Sequence, residues 1–174
     1  MNALAVGPTL IEHRRVFASW SIDVPTWFEE IFVRRDSYWH AWDEDRSISL
    51  SSVILSDEHD RSPTAVEILT TMTADAIAPD GDPIAELPPG LPGWAVIVPT
   101  QPPARAGRAL HGTLALDGRV LLVTITSDDA EWRSRIWRSI RGHPDAEPVL
   151  ATQADPNREM RRALRHGRRR IRGR

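Results

Sequence analysis

Two stretches of the chain alternate polar and apolar residues with a period of two. The first runs from Tyr38 to Trp42, turns through Asp43-Glu44-Asp45-Arg46 and returns from Ser47 to Leu55. The pattern predicts a β-hairpin. Pairing Trp42 with Ser47 sets His40 against Ser49 and Tyr38 against Ser51, and places Trp39 and Ala41 over Leu50 and Ile48 on the other face. One side is apolar and the other carries aromatics and hydroxyls. The second stretch, Arg108 to Leu116, Asp117-Gly118 and Arg119 to Thr126, predicts a hairpin with a two-residue type I′ turn. It aligns Leu110, Gly112 and Leu114 with Ile125, Val123 and Leu121, and on the reverse face His111, Thr113 and Ala115 with Thr124, Leu122 and Val120.

Other elements follow from punctuation and spacing. Phe17 to Val24 reads as one half-buried strand ended by Pro25. In Thr26 to Val33, Trp27, Phe28, Ile31 and Phe32 fit helical spacing, so a short helix is preferred over a continued edge strand. Ser62-Pro63 starts a helix whose stripe is Ala65, Val66, Leu69, Met72, Thr73, Ala76 and Ile77, running up to Pro79. Proline and glycine make Pro79 to Gly93 a loop, followed by a buried strand from Trp94 to Val98 and a second loop from Gln101 to Gly107. Asp128-Asp129-Ala130-Glu131 caps a helix with Trp132, Ile136, Trp137 and Ile140 on one side and Arg133, Arg135, Arg138 and Arg141 around the rest. The fold class is α+β: a mostly antiparallel sheet with two or three packed helices, with an α/β/α sandwich as one arrangement. Trp20, Trp39, Trp94, Trp132 and Trp137 are assigned to packing.

Composition narrows the chemistry. The 174 residues, 41% hydrophobic, suit one compact domain that buries roughly 70% of its unfolded surface. No run of about 20 apolar residues is present to span a bilayer, and Met1 to Gly7 lacks a secretory start, so a cytoplasmic location is expected. Cysteine is absent, which excludes disulfides, thiolate catalysis and cysteine-based metal sites. Lysine is absent too: all 22 basic residues are arginine, which removes Schiff-base chemistry and the lysine of a phosphate-binding loop. The net charge of −2 conceals a split, with +8 on residues 158–174 and −10 on the remainder. Residues 1–141 therefore read as a single α+β domain, 142–157 as a linker and 158–174 as an arginine-rich tail.

The order of elements, closing with the strand and helix of LLVTITSDDAEWRSRIWRSIR, resembles the PsbP-like superfamily over about residues 16–141. That resemblance implies an α/β/α sandwich and a binding module. Its members include a photosystem subunit, a Ran-binding protein, bacterial lipoproteins and effector chaperones, and share no active site. The lipoprotein cysteine is missing here, and the arginine tail is no part of the family pattern.

The Tyr38, His40 and Trp42 face, with Ser47 and Ser49 beside it, is the leading candidate for binding a partner, because amphipathic aromatics give large contact area at low entropic cost. The bland alternative is that a helix covers it. Asp57-Glu58-His59-Asp60 and Asp80-Gly81-Asp82 match no calcium-loop spacing, and His13, His40, His59, His111, His143 and His166 show no paired spacing for zinc, so no metal and no cofactor are expected. No catalytic residue is assigned: nucleophile-elbow and glycine-rich phosphate motifs are absent, and His40 with Ser49 would need a third group to orient the imidazole. In the tail, Arg158, Arg161, Arg162, Arg165, Arg168, Arg169, Arg170 and Arg172 are suited to nucleic acid or an acidic partner. The expected function is a non-enzymatic protein-interaction module of adaptor, chaperone or immunity type. The alternatives are a nucleic-acid-associated protein tethered by its tail and a hydrolase with a loop-built site.

Overall fold

The computed structural model describes residues 10–34, 37–56, 61–73, 80–100 and 107–145. Seven strands form one antiparallel sheet in the order β3 (Glu29–Val33), β4 (Tyr38–Trp42), β5 (Ser47–Ile54), β9 (Arg119–Thr126), β8 (Arg108–Leu116), β7 (Gly93–Pro99) and β6 (Asp82–Ile84). A smaller sheet orders β1 (Ile11–Phe17), β2 (Trp20–Pro25) and β10 (Arg141–Gly142). Among the described residues the helices are α1 (Ala65–Thr71) and α2 (Ala130–Ser139).

Both alternating hairpins form in the expected register, Trp42 opposite Ser47 and Leu116 opposite Arg119. In the first turn, the Asp43 carboxylate accepts the backbone N–H groups of Asp45 and Arg46 at 2.9 and 2.7 Å. In the second, Gly118 takes the φ of +68° that a residue with a Cβ resists, while Asp117 is not at positive φ, so the turn is not the expected type I′. The period of two then gives the large sheet two unlike faces. The inner face carries Trp39, Ala41, Ile48, Leu50, Leu110, Leu114, Leu121, Val123 and Ile125, packed against Trp20, Ile22 and Val24 of β2 and the Trp132, Ile136, Trp137 and Ile140 stripe of α2. Each fully buried aliphatic side chain there contributes about 1.5–3 kcal/mol. Gly112 permits this contact, since a Cβ at that position would lie 2.5 Å from the Trp137 ring.

Helix α1 lies on the other, outer face, where Ile68, Leu69 and Met72 pack on Ala115, Val120 and Leu122. It starts later than Ser62 suggests. Thr64 and Glu67 form a reciprocal capping box, and the Asp117 carboxylate of the β8–β9 turn accepts the Ala65 N–H at 2.9 Å. Ala76 and Ile77 lie outside the described residues.

Several expectations are corrected. Glu29–Val33 is an edge strand paired with β4, not part of a helix, because a short aromatic and β-branched run satisfies either period and pairing decides it. Phe17 to Val24 divides at Ala18-Ser19 into β1 and β2. β1 gives no alternating signal because, as an outer strand rich in charge, its side chains are largely solvated. The proline-rich stretch contains β6, which tolerates Pro83 because it is the sheet edge. Arg133, expected on the solvated side of α2, is buried, and its guanidinium donates to the Ser127 carbonyl. Trp94 packs only half-buried on the outer face, its indole N–H donating to the Met72 carbonyl at 2.6 Å. Packed chain runs past residue 141: β10 pairs with β2, and the His143 N–H reaches the Ser19 carbonyl at 2.8 Å.

Candidate functional site

On the outer face, β4 sends Tyr38, His40 and Trp42 to the same side, each half-buried. Their rings form a ladder: Tyr38 and His40 lie 6.2 Å apart at 11°, His40 and Trp42 4.9 Å apart at 20°. Offset, near-parallel stacking of this kind is a favoured arrangement of aromatic rings. Ser47 and Ser49 stand beside them on β5, and the Ser49 hydroxyl meets His40 Nδ1 at 2.7 Å and the Tyr38 hydroxyl at 3.4 Å.

The polar row continues across the sheet. Thr124 lies opposite Ser49, His111 lies opposite Thr124, and His111 Nδ1 meets the Thr124 hydroxyl at 3.1 Å. Two imidazoles and two hydroxyls thus span four adjacent strands. Partial burial pushes both imidazoles below their ordinary value, partly offset at His40 by a backbone hydrogen bond with Ile48. The row is therefore neutral at physiological pH, able to donate and accept hydrogen bonds but carrying no charge. His40 and Ser49 do meet, but through Nδ1, and no described carboxylate hydrogen-bonds the imidazole. The third group that nucleophile activation requires is not among its described partners.

A second polar cluster, which the sequence reading missed, sits on the exposed side of the small sheet. The Asp23 carboxylate meets His13 Nδ1 at 2.6 Å, His13 Nε2 meets the Ser21 hydroxyl at 2.9 Å, and that hydroxyl meets His143 Nε2 at 2.8 Å. The order of groups matches a hydrolase relay, but Ser21 is buried and its hydroxyl is shared by two imidazoles, so the cluster ties β1, β2 and the segment after β10 together. Burial, with Arg15 and His13 nearby, holds the His143 imidazole below its ordinary value. A hairpin centred on Ala18-Ser19 is the signal that would have placed His13 opposite Asp23.

Asp82 of the acidic triplet at 80–82 forms an ion pair with Arg108 at 3.6 Å, and no cluster of three or more metal-ligating side chains occurs among the described residues. The loop at 57–60 and the eight tail arginines from Arg158 to Arg172 lie outside the described residues. No described helix is long and apolar enough to cross a membrane.

No protein-family model matches the chain, and no curated protein matches its sequence. Among solved structures it is similar to the solution structure of CyanoP, the cyanobacterial PsbP of Synechocystis sp. PCC 6803, with a TM-score of 0.51 over 82% of this chain and 98% of that one. The fold is PsbP-like. Identity is 10%, so what the two chains share is the fold alone.

Proposed function

We propose that this chain is a non-enzymatic protein-interaction module, of adaptor, chaperone or immunity type, that receives its partner on the outer face of the large sheet. One observation carries the reading: Tyr38, His40 and Trp42 form a stacked, half-buried ladder beside a row of hydroxyls, on the part of that face that α1 does not pack against. Rigid aromatics flanked by adaptable hydroxyls supply contact area and hydrogen bonds together, the combination that dominates binding hot spots. The arginine tail, with a charge of +8, adds attraction toward an acidic region of the same partner.

The test is a quantitative pull-down with full-length protein and a Tyr38→Ala, Trp42→Ala double variant, each checked by thermal melting. The variant is expected to melt cooperatively near the parent and to lose the partner. A variant that fails to fold, or that recovers the partner undiminished, refutes the assignment. Charge on the tail also favours a second reading, attachment to nucleic acid, for which deletion of residues 158–174 would abolish salt-sensitive DNA or RNA binding.

A further inference from the structure

At the margin of the outer face, β3 has β4 on one side and no strand on the other among the described residues. Proteins blunt such edges with charged side chains, proline or short length, because unpaired N–H and C=O groups template pairing with another chain. β3 has five residues and opens on Glu29 and Glu30, but its last three, Ile31, Phe32 and Val33, carry neither charge nor proline and are apolar on both faces. Ile31 on the outer side is 49% exposed and Phe32 on the inner side 44%. Phe32 touches Phe17, with ring centroids 5.7 Å apart, and borders an open hollow of about 450 Å³ that Arg14, Val16, Glu30 and Trp39 also line.

We infer that β3 pairs antiparallel with β3 of a second copy of this chain, joining two seven-stranded sheets into one across a two-fold axis. Register supplies the argument. Antiparallel partners point to the same face, so an axis perpendicular to the sheet passes through a single residue of β3. With Phe32 on the axis, the two Phe32 rings meet beside the hollow, Ile31 faces Val33 of the partner subunit, and Glu30, which Arg14 of its own chain holds at 2.5 Å, faces Arg34 of the partner subunit, a residue exposed just beyond the strand. Apolar then meets apolar, and the Glu30 carboxylate stands between two guanidinium groups, its own Arg14 and that of the facing strand. With Ile31 on the axis, Glu30 would instead face Phe32 and Glu29 would face Val33, setting carboxylates against apolar groups. Of these two registers, the first is self-complementary. The dimer uses the sheet edge rather than the aromatic ladder, so it goes beyond the proposed function and does not depend on it.

The absence of cysteine makes the test clean, since an introduced thiol is the sole one in the chain. Full-length Phe32→Cys, Ile31→Cys and Val33→Cys variants are oxidised under matched conditions. Across the axis, residue 32 meets its copy at about 4.5–5.5 Å, within disulfide reach, whereas residues 31 and 33 lie diagonally from their copies, beyond the limit of about 7 Å. Phe32→Cys is expected to form a disulfide-linked dimer about tenfold faster than the other two. Sedimentation of the unmodified chain over roughly a hundredfold range of concentration should show a monomer–dimer equilibrium that Ile31→Lys weakens about tenfold or more without changing the melt. A chain that stays monomeric throughout, a dimer that Ile31→Lys leaves intact, or faster cross-linking through Ile31→Cys than through Phe32→Cys overturns the inference.

Discussion

Trp39 and Trp42 belong to one five-residue strand, yet one is 4% exposed in the core and the other half-exposed in an aromatic ladder. Parity alone separates them. The inner face meets β2 and α2, which cover it with apolar side chains, while among the described residues the helix on the outer face is α1, seven residues that pack over Ala115, Val120 and Leu122. A tryptophan count therefore says little about function until the strand register is known. The inner face provides stability, and on the outer face the ladder of Tyr38, His40 and Trp42 stays half-buried.

Removing a ring on each side should break this comparison if it is wrong. Trp39→Ala leaves a cavity between the sheet and its cover and removes the indole N–H that Glu30 accepts at 3.1 Å; a loss of about 3–5 kcal/mol in urea unfolding is expected. Trp42→Ala should lose only about 1 kcal/mol by the same measurement. Equal losses would mean that the ladder is core. Gly112→Ala pushes a methyl group into the Trp137 ring and should destabilise by about 1–3 kcal/mol, read from the urea midpoint at unchanged slope. Thr64→Ala, on the helix that covers part of the outer face, removes one capping bond and should lose about 1 kcal/mol.

The smallest effect sharpens the comparison through pH. His40 and His111 have folded-state values below the ordinary 6.5 because partial burial disfavours the imidazolium. Above that value both folded and unfolded chains are neutral at these positions. Below it the unfolded chain binds protons first, so stability falls with pH until the folded imidazoles titrate as well. Urea midpoints between about pH 7.5 and about pH 5 should decline, and a His40→Gln, His111→Gln double variant should decline less. The slope that remains includes His143, whose imidazole is depressed in the same direction.

Much of this architecture is legible in the sequence where both periodicity and punctuation are present. Asp43 and Gly118 fix two turns, and from those turns the registers of β4 with β5 and β8 with β9 follow residue by residue. That is how Tyr38, His40, Trp42, Ser47 and Ser49 could be grouped on one face before the fold was known. Reading fails where a strand lacks an apolar alternation of its own. β1 is charged and solvated, so its pairing with β2 was invisible, and with it the cluster of Asp23, His13, Ser21 and His143. β3 fails for the opposite reason: its apolar residues fit two periods, and only pairing with β4 selects the strand. Buried Arg133 is a tertiary outcome, set by a carbonyl in the preceding turn that no helical spacing discloses.

Direct placement of the partner tests the central claim. A photo-reactive amino acid at Ser49, beside the ladder, is compared with one at Arg135, exposed on α2 across the molecule's core. Adducts with the partner should form from position 49 and not from position 135. Adducts from position 135 alone would contradict the account and move recognition to the helical side.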